Sequence, residues 1–116
     1  MINDHNFIEK RSAPRFPIAI PITYYNPDCA GQFSCETHDV SAKGIGMVTR
    51  QGFSVGQSLD FYLHMADNAE EIHRRGRVVW AVQISQDKYR IGIEVEGENL
   101  KPVEIILRTI SSLRNY

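Results

Sequence analysis

The sequence is short of the features that usually give a protein away. It holds only two cysteines, Cys29 and Cys35, in 116 residues. Two thiols make no disulfide framework, and these lack both CxxC spacing and the companion ligands of a zinc site. They read as reduced, partly buried thiols. Four histidines, His5, His38, His64 and His73, are scattered without HxH or HExxH spacing, so no metal is expected. No apolar run approaches the ~20 residues of a membrane-spanning helix. Residues 1–10 carry Asp4 and Glu9 and no long apolar stretch, which excludes a secretory signal and gives a cytoplasmic reading. An excess of one charge is missing too: 13 Lys and Arg face 14 Asp and Glu, a formal net charge of -1. That balance argues against a general nucleic-acid binder. With no P-loop, GxGxxG or GxSxG, GTP hydrolysis, dinucleotide redox chemistry and elbow-serine hydrolysis have no support.

What is present is an ordinary globular composition, 42% hydrophobic and 23% charged. A chain of this length forms one domain and buries roughly two thirds of its unfolded surface without staples. Charge is neutral overall but not locally. Lys10, Arg11 and Arg15 cluster near the start, and Arg74, Arg75 and Arg77 cluster later. Such patches suit a small anionic ligand better than a long polyanion.

Residues 1–17 show no periodicity and end at Pro14 and Pro17. They read as an arm, mobile when nothing is bound. Period-two alternation then marks strands at 18–25, 33–40, 44–49, 58–65, 72–84 and 88–95. Pro21 points to an edge or bulged first strand, with the barrel edge there open to partners. From Leu100 the period changes: Leu100, Val103, Ile106, Leu107, Ile110 and Leu113 form a helical stripe, with Asn99 as N-cap, in a helix over about 98–114. Six short strands and one helix predict a mainly all-β fold, a six-stranded antiparallel barrel with a C-terminal helix covering one end or face.

Two stretches carry chemistry. One is Arg11-Ser12-Ala13-Pro14-Arg15 on the arm. The other is Asp39-Val40-Ser41-Ala42-Lys43-Gly44, which begins 24 residues after Arg15. Taken singly, the first reads as solvated charge and the second as turn capping. His38 and Asp39 beside Ser41 suggest a triad, but strand alternation sends His38 and Asp39 to opposite faces, so nucleophilic catalysis is not expected.

In this order, on this strand pattern, the two stretches resemble the RxxxR and (D/N)xSxxG motifs of the PilZ family. Arg77-Val78-Val79-Trp80 and Tyr89-Arg90-Ile91-Gly92-Ile93-Glu94 resemble its two later strands. The likeness runs from about Glu9 into the helix, without an output or receiver domain, and so implies the single-domain type. The resemblance implies a receptor for cyclic di-GMP that is no enzyme and needs no cofactor. It carries the ligand contacts to Arg11, Arg15, Asp39, Ser41 and Gly44. A guanidinium fork matches guanine O6 and N7, a carboxylate accepts from guanine N–H groups, and glycine lets backbone approach or takes a positive φ. Arginine also pairs with phosphate or stacks on a base. Lys10 either reaches a phosphate or is solvated. Trp80 either packs in the core beside Val78 and Val82 or stacks on a guanine. The cluster at Arg74, Arg75 and Arg77 reads mainly as a solvated face, with Arg77 its best phosphate contact. The expected mechanism has residues 1–17 fold over a ligand seated on the barrel, and an unknown effector protein read the new surface. Two rivals are a ligand-independent PilZ-like adaptor and an OB-like barrel for single-stranded nucleic acid.

Overall fold

The computed structural model describes residues 13–26 and 31–113, with side chains to residue 111. Lys10, Arg11, Cys29 and residues 1–12 of the expected arm lie outside the described residues. Six strands form in chain order: β1 (Pro21–Tyr25), β2 (Gln32–Val40), β3 (Gly44–Thr49), β4 (Ser58–His64), β5 (Glu71–Ser85) and β6 (Lys88–Glu96). One helix follows, α1 (Pro102–Leu113). The strands pair antiparallel in the order β1-β2-β3-β6-β5-β4, and β4 pairs back to β1, closing a barrel. The mainly-β, six-stranded barrel with a C-terminal helix is thus the observed fold.

Alternation builds the interior. In β4, Leu59, Phe61 and Leu63 point inward and are essentially fully buried, while their neighbours are half-exposed. Ile22 and Tyr24 of β1, Ile45 and Met47 of β3, and Ile91 and Ile93 of β6 complete the core. On the outer side of the β1–β4 seam, Thr23 Oγ1 and His64 Nε2 lie 2.7 Å apart.

Pro21 does not mark an edge. It is the first residue of β1 and pairs with Glu36 of β2, while the β4 register begins one residue later at Ile22. A strand's first position tolerates the missing N–H, and the closed barrel leaves no edge there. Ile18 and Ile20 lie outside β1 but are held to β2 by Thr37. Its hydroxyl accepts from Ile20 N–H at 2.9 Å and donates to the Ile18 carbonyl at 2.7 Å.

The helix departs from expectation at both its start and its face. Its first backbone bond runs from Ile105 N–H to the Lys101 carbonyl, so Lys101, not Asn99, stands at the N-cap. Pro102 opens the helix, where its fixed φ fits and its missing N–H costs nothing. The expected apolar stripe is not the buried face. Of it Leu100, ahead of the helix, is buried, while Val103, Leu107 and Ile110 are exposed; the buried helical side chain is Ile105, which the stripe left out. Arg108 ties the helix to the β4–β5 loop. Two of its nitrogens donate to the Asp67 carboxylate at 2.9 Å each, and a third ion pair reaches Glu70 at 2.8 Å. Among the described residues no helix is long and apolar enough to cross a membrane.

Candidate ligand-binding site

The site forms where the segment before β1 crosses the end of β2. Phe16 and Val40 exchange backbone hydrogen bonds of 2.9 and 3.0 Å, an isolated bridge that fastens this segment antiparallel to β2. Its neighbour Arg15 is thereby carried to Asp39, with Nη1 4.0 Å from Oδ2. The Asp39 side chain is only 12% exposed, so water screens that carboxylate weakly.

The β2–β3 register shifts between Thr37 and Asp39, leaving His38 as the extra residue of a bulge. The bulge breaks strict alternation, and His38 does not point away from Asp39. Its Nδ1 lies 3.2 Å from Asp39 Oδ2. The same nitrogen lies 3.2 Å from Arg90 Nη2. Protonated, Nδ1 donates to the carboxylate. With its lone pair free, it accepts from the guanidinium. It cannot do both at once. Arg90 also sits 5.8 Å above the Trp80 ring, and among the described residues its buried Nε has no hydrogen-bond partner.

Ser41 and Gly44 make the turn between β2 and β3. Ser41 Oγ donates to the Gly44 carbonyl at 3.2 Å and accepts from Gly44 N–H at 3.1 Å, and Ser41 N–H donates to the same carbonyl at 2.8 Å. The turn is pinned from outside by Val95 N–H on the Lys43 carbonyl and Leu100 N–H on the Ala42 carbonyl. Gly44 does not have a positive φ. Glycine is needed because a Cβ there would run into the Ile93 carbonyl of β6. The Ala13–Arg15 end of the first motif stretch therefore meets the second. Arg15, Asp39, Ser41, Lys43 and Gly44 line one cleft of about 180 Å³, with Val79 of β5 on its far wall.

The remaining candidates divide. Trp80 is half-buried on the outer face, its indole laid across Gly92, where a Cβ would collide with the ring. It packs outside the core, and Val82 beside it is exposed. Arg77 does not line the cleft. It faces its cross-strand partner Glu94 at 4.0 Å, as Arg75 faces Glu96 at 3.9 Å. The later arginine cluster is thus mostly a ladder of surface ion pairs. Among the described residues no group of three His, Cys, Asp or Glu side chains could hold a metal ion. Sequence reasoning missed the pairing of His38 with Asp39 and the place of Arg90. Neither leaves a sequence signal, because a bulge has none.

Comparison with known proteins bears on the fold and the family. The chain resembles MotI/DgrA, the inhibitor of motility of Bacillus subtilis, at 15% identity and a TM-score of 0.64 over 90% of this chain and 50% of that one. It resembles K. pneumonia MrkH, solved as a complex with c-di-GMP, at 17% identity and a TM-score of 0.65 over 90% and 54%. It resembles the PilZ domain of YcgR from Escherichia coli, solved with c-di-GMP, at 12% identity and a TM-score of 0.60 over 90% and 92%. At these identities the likeness is one of fold, and the chain spans about half the length of MotI/DgrA and MrkH. No significant match is found among curated protein sequences. The family model described as PilZ domain matches residues 9–111, nearly the whole chain, and the chain belongs to that family.

Proposed function

We propose that the chain is a receptor for cyclic di-GMP that acts by binding and passes the signal to a partner protein. The supporting observation is the meeting of Arg15 and Asp39 at one cleft, built by the Phe16–Val40 bridge. The two offer complementary chemistry for guanine. The fork of Arg15 matches the O6 and N7 edge, and the Asp39 carboxylate accepts from the N–H edge. Ser41 and Gly44 hold the turn that forms the floor. Two structural neighbours solved with c-di-GMP, MrkH and YcgR, share this fold.

The cleft of about 180 Å³ is smaller than the ~300–1,000 Å³ of pockets that enclose a drug-sized ligand. It seats one guanine. The phosphates and the second guanine lie across the surface, where the part of residues 1–17 that precedes the Phe16–Val40 bridge acts as the arm and Arg11, with Lys10, supplies charge. Ordering that arm costs on the order of 1–2 kcal/mol per residue, which several charge-assisted contacts must offset. Trp80, beside Gly92 at the rim, offers a stacking face.

Calorimetric titration with cyclic di-GMP, with GTP and cyclic GMP as controls, tests the reading. Saturable, selective heat that disappears in Arg15→Ala is the expected result, and the stoichiometry separates one bound ligand from two. No heat from the wild-type chain at high ligand concentration overturns it.

A further inference from the structure

The barrel wall is unpaired along one stretch of β5. The β4 register on β5 ends at Ser58↔Arg77, and Gly56 and Gln57 extend backbone bonding only to Val78. β5 then continues through residues 79–85, paired with β6 alone. Among the described residues, the opposite main-chain edge of 79–85 bonds to no backbone partner. Such an edge is a template for another strand.

The pairing of this stretch with β6 shifts register at Val79 and again at Ile84, so residues 80–83 are its regular part. Val79-Trp80-Ala81-Val82-Gln83-Ile84-Ser85 contains no charge, no proline and no glycine. Val79, Val82 and Ile84 are 43%, 55% and 49% exposed. The charges stand just outside, at Arg75 and Arg77 before the stretch and at Asp87 and Lys88 after it. Natural edges are usually blunted by a charge or a proline within the strand.

We infer that residues 79–85 form a self-association surface, pairing antiparallel with the same edge of a second copy of this chain. A two-fold axis at Val82 sets Val82 against Val82 of the second copy, with Trp80 and the bulged Ile84 flanking that pair. Cross-strand pairs of aromatic and β-branched side chains are favourable. The interface is isologous and brings no like charges together. Residues 79–85 themselves offer a charged partner strand no countercharge; the nearest cations, Arg90 and Lys88, stand on β6. The stretch shares Val79 and Trp80 with the rim of the ligand cleft, so its test uses the chain without nucleotide.

The test is sedimentation of the full chain over a wide concentration range. The expected mass rises from 13.2 kDa toward twice that value as concentration increases. Val82→Lys and, independently, Ile84→Lys replace exposed side chains and should hold the chain at the monomer mass with an unchanged circular dichroism spectrum. Leu107→Lys, on the exposed face of α1, should leave association as in wild type. Amide hydrogen exchange at 79–85 should slow as concentration rises. A wild-type chain that stays monomeric throughout would overturn the inference. So would association lost in Leu107→Lys and kept in both β5 variants, which would place the contact on α1. Protection of 79–85 independent of concentration would mean that the edge is covered within one chain, and would also overturn it.

Discussion

At the scale of single residues, Asp39 is the group on which the proposed function turns. It is nearly buried, and its partners are the distant guanidinium of Arg15 and the shared Nδ1 of His38. A ligand N–H donor can replace either without leaving the carboxylate bare. Asp39→Asn should therefore weaken cyclic di-GMP binding about 10-fold or more, with the fold unchanged, because a bidentate base contact is worth ~1–3 kcal/mol. Arg15→Lys should weaken it comparably while keeping the charge, since lysine lacks the planar fork. Calorimetry on the two variants decides both; wild-type affinity in either removes that residue from the site. A second residue-scale expectation concerns Cys35. Burial first, and Glu36 second, push its thiol up to about 12, so it stays protonated at neutral pH. In a Cys29→Ser background the folded chain should react negligibly with a thiol reagent at pH 8, and one thiol should appear in denaturant. Arg15 and Asp39 were legible as residue types in their motifs. Their contact was not, because it depends on the Phe16 bridge and the His38 bulge, which are properties of paired strands.

At the scale of elements, the β2–β3 turn and α1 show two different means of fixing geometry. The turn is held by Ser41, and its two Oγ hydrogen bonds to Gly44 are worth ~1 kcal/mol each. Ser41→Ala should lower the midpoint of thermal unfolding by several degrees and weaken ligand binding through the displaced floor. The helix is held by Arg108, whose hydrogen bonds to Asp67 keep that carboxyl below its usual range. A depressed folded value means that the contribution is present above the ordinary carboxyl range near ~4 and is lost as pH falls through the folded value. Amide chemical shifts of α1 should therefore change in acid with a midpoint below that range. In Arg108→Ala this transition should vanish and α1 should be loosened already at neutral pH. An acid transition unchanged in the variant would show that another group controls it. The helical period of residues 100–113 could be read directly, but its buried side could not. The six apolar positions at helical spacing did not include Ile105, the helical side chain that is buried, because spacing alone does not say which side meets the barrel.

At the scale of the whole molecule, the barrel supplies rigidity and the site sits on its outer wall. Phe61, fully buried at the centre of β4, should cost ~3–5 kcal/mol on truncation to alanine, read from denaturant unfolding. Cyclic di-GMP at a hundred times its dissociation constant should stabilise the whole fold by ~2.7 kcal/mol, and Arg15→Ala should lose that gain. The fold class followed from sequence because alternation of period two is a local property, visible in Leu59, Phe61 and Leu63 or in Ile91 and Ile93. The motif residue types could be read because residue chemistry is printed in the chain. Closure of the barrel around Pro21, the loss of alternation at His38, the free edge at 79–85 and the outward turn of Val103 and Leu107 were decided by tertiary structure. Each depends on which strand or loop lies alongside, and no single stretch of sequence carries that information.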